Sequence, residues 1–176
     1  MSIYQIDPAH ASAQFKVRHM MIANVKGEFH KVSGTVNFDP ANPAASTVEA
    51  AIETASIRTR DEQRDTHLKS SDFLDVEKFP LITFKSKKVT SSGAGSFAVV
   101  GDLTIHGVTN EVILDVEDVT EEAKDPWGNM RRGATAKTRI NRKDFGMNFN
   151  VALEAGGFLV GEDVDLTIDV ELIRQA

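Results

Sequence analysis

No cysteine occurs among the 176 residues, which excludes a disulfide framework and any thiolate-bound zinc or iron–sulfur site. A basic excess is missing too. The 26 acidic residues outnumber the 20 basic ones, the formal charge is -6, and no Lys/Arg tract is concentrated enough to neutralise a polyphosphate backbone. Nucleic acid is therefore not an expected partner. The opening MSIYQIDPAHASA lacks both a basic n-region and a continuous apolar h-region. No secretory signal, membrane anchor or integral membrane span is expected from it, and the cytoplasm is the default compartment; a periplasmic chain whose leader had been removed would read the same way. No stretch reads as a linker. Residues 1–176 are expected to form one domain, and 41% hydrophobic residues are enough to bury a real core.

What the chain has is alternation. Ala11, Ala13, Phe15, Val17 and His19 fall on one side of an extended backbone, and Ser12, Gln14, Lys16 and Arg18 on the other. A second run places Val32, Gly34, Val36 and Phe38 on one face, but Gly27 and Phe29 have the opposite parity. A bulge or bend near His30 and Lys31 is needed to keep both sets inward. The pattern recurs at Val48–Ile52, Ile82–Ser86, Phe97–Val99, Val112–Val116, Ala134–Ile140 and Val164–Leu172. Turn chemistry separates the runs, as at Asp39–Pro40, Ser91–Gly95, His106–Gly107 and Asp125–Gly128.

One interval breaks the alternation. Thr59 to Lys69 opens with Thr59 followed three residues later by Glu62, the spacing of a capping box, and predicts a short helix near residues 59–69. A shorter helical turn is expected around Arg142 to Phe145. The fold class read from these elements is all-β, an antiparallel up-and-down barrel of about eight strands with a short helical insertion. Closing the sheet removes its exposed edges. A barrel of that size is either filled by its own side chains or holds one small ligand, and periodicity does not choose between these outcomes.

The order of segments resembles the YceI-like family of lipid-binding proteins along essentially the whole chain. Tyr4–Pro8 with His10, Phe15, Val17 and His19 is similar to the family's opening strand, and Gly27–Phe29 and Ser33–Gly34 follow. Ser56–Ile57, Thr59, Arg64–Asp65, His67–Leu68, Asp72–Phe73, Asp75, Phe79–Pro80, Phe84 and Ser86 look like the family signature. Gly101–Ile105, Gly107–Thr109, Arg142, Asp144–Gly146 and Gly161 complete it. Tyr4, Ala11 and Phe149 stand where other residues are frequent. The resemblance implies a lipocalin-like barrel whose apolar tunnel takes a polyprenyl phosphate or diphosphate, an isoprenoid quinone or a related long-chain amphiphile. It implies storage or transport without catalysis, no cofactor beyond the bound lipid, and it allows a homodimer.

The apolar cavity is expected to be lined by Phe15, Val17 and Phe29, by Val36 and Phe38, and by Ile82, Phe84, Leu114 and Leu166; if these meet in the middle, the interior is simply close-packed. Arg60, Arg64 and His67 are spaced by four and three, so one helical face would present them, with His19, to a lipid head group. The plainer expectation is a solvated face on which Arg64 pairs with Asp61. His10, His19, His30, His67 and His106 include no metal-binding spacing, so no metal is expected. Asp65, Asp72 and Asp75 read as caps and turn formers, and Asp102, Thr104, Asp144 and Gly146 as fold-maintaining. Two other classes compete with a carrier. One is an enzyme acting on an amphiphile with His19 or His67 as acid or base, although no nucleophile–base–orienter set is visible; the other is a plain protein-interaction barrel.

Overall fold

The alternation does build strands, and they are longer than the sequence pattern alone delimits. In the computed structural model, which describes residues 1–176, the order is β1 (Ser2–His19), β2 (Ala23–Phe29), β3 (Val32–Phe38), β4 (Thr47–Glu53), β5 (Ile57–Arg58), α1 (Glu62–Lys69), β6 (Leu81–Gly93), β7 (Ser96–Ile105), β8 (Val108–Glu117), β9 (Ala123–Lys124), β10 (Met130–Asn141) and β11 (Val160–Arg174). Each long strand pairs antiparallel with its predecessor, and β11 returns to pair with β1, closing the sheet. β2 and β3 act as one strand bent at His30–Lys31, where the parity switch required a bend, and β5 and β9 are short attachments. The result is an eight-stave up-and-down barrel carrying one helix. That helix is eight residues long, so no helix is long and apolar enough to cross a membrane.

β1 carries a second parity switch that alternation from Ala11 onward does not reveal. Ile6 pairs with Leu172 and Ala11 with Val170, so β1 takes five steps where β11 takes two. The extra residues bulge outward and let Tyr4 and Ile6 join Ala13 in the interior. The bulge is held by charge. The Arg131 guanidinium donates to Asp7 at 2.7 Å, to Asp125 at 2.6 Å and to Glu171 at 3.1 Å, and His10 Nδ1 lies 2.9 Å from Asp7. The ligand atoms of Asp7, His10 and Glu171 lie within 4.8 Å of one another, but Arg131 already supplies the cation that these carboxylates need.

These contacts predict a pH signature. The Arg131 hydrogen bond, and then that of His10, hold the Asp7 carboxyl at about 2 against an ordinary value of 3.8. A depressed carboxyl stabilises the fold fully above its unfolded value and loses that contribution as pH falls through the folded one. The bond from Asp7 raises His10, whose contribution is complete below its ordinary value of 6.5 and fades as pH rises past its raised one. Denaturation at stepped pH should show an acid limb between about 4 and 2 that Asp7→Asn reduces by about 1–2 kcal/mol once solvent screening is allowed for. A limb of unchanged height in that variant would remove Asp7 as its source.

The wall is not packed evenly. Ile82, Phe84, Val99, Leu103 and Leu114, on β6, β7 and β8, are buried, whereas the inward Phe15, Val17, Val164, Leu166 and Ile168, on β1 and β11, are only half-buried. They face open space inside the barrel. Two glycines help to keep it open. A Cβ on Gly27 would lie 2.4 Å from Phe15 Cζ, and one on Gly101 would lie 2.5 Å from Phe84 Cζ, so each ring lies flat over a glycine instead of crossing the lumen.

Candidate functional site

The lumen is a cavity of about 770 Å³, within the range of ~300–1,000 Å³ typical of small-molecule sites. Every apolar candidate lines it: Phe15, Val17, Phe29, Val36, Phe38, Ile82, Phe84, Leu114 and Leu166. Sequence reasoning named only Leu166 on β11, yet Val164, Ile168, Val170 and Leu172 share its parity and line the same wall. The alternation at Val164–Leu172 already sets all five on one face, and only the pairing of β11 with its neighbours shows that this face lines the cavity.

The two ends of the barrel differ. At the end where β1 starts, the Tyr4 hydroxyl donates to Glu122 and accepts from Arg132 Nε at 3.0 Å. The Arg132 guanidinium lies 5.3 Å from the centre of the Phe38 ring, and Phe38 meets Phe97 edge-on at 5.4 Å. With Tyr4 fully buried, this layer shuts that end. At the end where β1 stops, the lining includes the solvent-exposed Arg18, Asp61, Gln63 and His67. The cavity therefore opens beneath α1.

Local chemistry sets α1 across this opening, but not through the predicted cap. Asp61 is the N-cap, accepting from the Arg64 backbone N–H at 3.1 Å. Thr59 lies outside the helix, where its backbone N–H and hydroxyl donate to Asp65 at 2.8 and 2.6 Å. The Arg64 guanidinium donates to the Thr59 hydroxyl at 2.7 Å and to its carbonyl at 2.6 Å, so the expected Arg64–Asp61 ion pair does not form. Arg60 precedes the cap at φ 65° and is not among the lining residues, so it does not share a helical face with Arg64 and His67. Arg64, His67 and His19 do line the cavity.

His67 packs edge-on against Phe73 at 5.1 Å and Phe149 at 4.8 Å, and these two rings meet at 5.2 Å. The trio forms an aromatic cover over part of the opening. His67 Nε2 lies 2.8 Å from Asp72, while the Ser70 hydroxyl donates to the His67 carbonyl, not to its ring. Serine, histidine and aspartate are neighbours here without the relay that nucleophilic catalysis requires.

Arg142 is the residue that sequence reasoning missed. It starts the predicted helical turn Arg142–Phe145, which ends on Gly146 at φ 76°. Only 3% exposed, its guanidinium donates from Nε to the Gly161 carbonyl, from Nη1 to those of Met147 and Phe149, and from Nη2 to that of Val160, at 2.7–3.2 Å. Burial lowers its pKa from the ordinary arginine value, with Glu162 opposing, and no carboxylate pairs with it. It clamps the segment carrying Phe149 to the start of β11. The family resemblance marks Arg142 in the sequence, but nothing there shows that its side chain is buried or which carbonyls it meets. The clamp also fills a gap: β8 and β10 share only three residue pairs, Thr135–Lys137 with Asp115–Glu117, and the buried Phe145 and Met147 occupy the divergence beyond them.

Comparison with known proteins gives the same picture. The profile of the YceI-like domain matches residues 4–172. A UPF0312 protein of Staphylococcus aureus is 40% identical over 172 residues, covering 97% of each chain. Among solved structures, BcnA of Burkholderia cenocepacia superposes with a TM-score of 0.82 at 23% identity, covering 94% of this chain and 98% of its own. A polyisoprenoid binding domain from Saccharophagus degradans, implicated in plant cell wall breakdown, superposes at 0.71 and 12% identity, over 99% of this chain and 100% of its own. At such identities these two structures speak for the fold. The profile match spans nearly the whole chain, and with it the bulged first strand, the helix across the opening and the Arg142 turn: this chain belongs to the YceI-like domain family.

Proposed function

We propose that the barrel binds one long-chain isoprenoid lipid, a polyprenyl phosphate or diphosphate or an isoprenoid quinone, and stores or carries it without altering it. The observation that carries this reading is the unfilled apolar lumen of about 770 Å³ with one closed and one open end. Inward side chains beside an empty space forgo dispersion contacts. An apolar chain entering that space restores them and leaves water with a gain of roughly 25 cal/mol per Å² buried, before ordering costs. The name of the Saccharophagus degradans domain points in the same direction.

The same geometry supports one orientation of the ligand. The tail lies along β1 and β11 toward the Tyr4–Arg132 layer, and the polar head stays beneath α1 beside Arg64, His67 and His19. Arg64 spends Nε and Nη2 on Thr59, which fixes its position and leaves Nη1 free to donate. Native mass spectrometry of protein purified from its source, followed by organic extraction, should release a prenyl lipid in near-equal amount to the protein. A retained mass with no isoprenoid character would overturn the assignment. For the head group, Arg64→Ala should weaken a prenyl phosphate about tenfold and leave a prenyl alcohol of equal length nearly unchanged. Equal losses for both would assign Arg64 to holding the helix.

A further inference from the structure

The open end carries apolar surface that neither the fold nor the lumen uses. Met20, Met21 and Ile22 form the tip between β1 and β2, and Val151 and Phe158 lie on the segment between the Arg142 turn and β11; all five are exposed, Ile22 at 76% and Phe158 at 54%. They form one lip. The Met20 N–H donates to the Leu159 carbonyl at 2.8 Å, the Met21 thioether sits over Gly157, and the Leu159 N–H donates to the Val151 carbonyl at 2.9 Å. Directly behind the lip, His19, Leu159 and Val160 line the lumen, so exposed apolar surface runs continuously into the cavity.

Cations without acidic partners gather on the β1–β2 side of the lip. Beside the lip, Lys16 pairs with Asp165 and Arg58 with Glu28, whereas Arg18, Lys26 and Arg60 have no acidic partner. Lys26 stands opposite Lys16 on the neighbouring strand, and β5 places Arg60 next to β2. Glu154 within the lip segment and Asp163 near the start of β11 are acidic residues there without a basic partner. At the closed end Asp39, Asp118 and Glu121 have no basic partner, and Lys124 has no acidic one. In a chain of net charge -6, free cations on the β1–β2 side of an apolar lip turn that side of the open end toward a negatively charged surface.

We propose that this lip is a bilayer-docking surface: Met20, Met21, Ile22, Val151 and Phe158 enter the interfacial region of a membrane while Arg18, Lys26 and Arg60 meet anionic head groups, and lipid passes directly between bilayer and lumen. The proposal rests on the isoprenoid reading for its cargo, since such a ligand resides in membranes and crosses water slowly. Clustered exposed apolar groups rimmed by cations are the surface chemistry of interfacial binding. Docking by this end alone also explains why the other is sealed.

The test uses the full chain with vesicles of phosphatidylcholine, with and without phosphatidylglycerol, and a triple variant, Met21→Glu, Ile22→Glu and Phe158→Glu. Ile113→Glu, an equally exposed apolar site on the outer wall, is the control. The protein should sediment with vesicles, more strongly when phosphatidylglycerol is present. The triple variant should lose at least about tenfold in vesicle binding and in the rate of quinone uptake from vesicles, and the control should lose neither. Affinity for a fluorescent farnesol analogue in water should be unchanged in both, with circular dichroism reporting an intact barrel. Vesicle binding absent in the native protein, or equal in the triple variant, overturns the proposal. So does a dimer that the triple variant dissociates while vesicle binding stays, since the lip would then cover a second copy. Lip-dependent vesicle binding without uptake of farnesol analogue or quinone would support docking and overturn the cargo.

Discussion

Replacing Arg142 with methionine is expected to destabilise the barrel by about 3–5 kcal/mol, the largest loss from any single polar residue in the molecule. Methionine approximates the length of the buried stem, so the loss measures the guanidinium. Four carbonyls, those of Met147, Phe149, Val160 and Gly161, accept from it. Each orphaned buried acceptor costs about 1–3 kcal/mol, and water entering from the adjacent lumen relieves part of the sum. Charge neutralisation is not the source, because Arg142 has no carboxylate partner to strand. Lys143→Met, one residue along, removes an exposed pair with Glu162 at 2.8 Å and should cost under about 1 kcal/mol. Equilibrium urea denaturation of the two variants makes the comparison. The Arg142 variant should also release Phe149 from His67 and Phe73, so faster ligand dissociation should accompany the lower midpoint. A loss no larger than that of Lys143→Met would mean that solvent, not the guanidinium, satisfies these carbonyls.

The second large effect comes from filling the lumen. Ala136→Phe combined with Leu166→Trp adds bulk on adjacent strands, where both residues point inward, line the cavity and are half-buried. In a close-packed core, such additions force rotamer and backbone strain of about 1–3 kcal/mol or more. In an open lumen the added rings find space and bury apolar surface, so stability should hold or rise slightly. Binding of an isoprenoid quinone should meanwhile fall by about a hundredfold or more, because the corridor is occupied. Thermal denaturation and a binding titration on the same preparation separate the cases. Marked destabilisation with unchanged affinity would show that this part of the lumen is packed and that the ligand does not run along β11.

The two kinds of substitution explain each other. Arg142 lies where the sheet fails to close by its own hydrogen bonds, beyond the three residue pairs joining β8 to β10, and there stability depends on polar contacts. Ala136 and Leu166 lie where the backbone ladder is continuous, β10 pairing with β11 from Arg131 to Asn141, so side chains are released from holding the wall and can leave space inside it.

Local pattern reveals strands wherever one face is polar. Ala13, Phe15 and Val17 alternate with Gln14, Lys16 and Arg18, and the structure places them inward as that period requires. The bend at His30–Lys31 is legible for the same reason, because two inward sets of opposite parity cannot share a straight strand. The earlier switch between Ile6 and Ala11 escapes notice because the clean alternation begins only at Ala11, and the shift in parity shows only in the register with β11. Thr59 fails as a cap for a comparable reason. Its hydroxyl has the right spacing to Glu62, but Asp65 and Arg64 fold back and take it, leaving the cap to Asp61.

By itself the sequence determined the closed all-β architecture and the inward wall, because the two-residue period of a strand and the residues that shape its turns act over short distances, and its motifs carried the resemblance to the family. Only the tertiary structure decided that the interior stays open, which end is sealed, and that a buried arginine clamps the cover over the other. Those outcomes depend on how far apart opposite walls stand and on which distant carbonyls converge on one guanidinium, and neither is a property of neighbours along the chain.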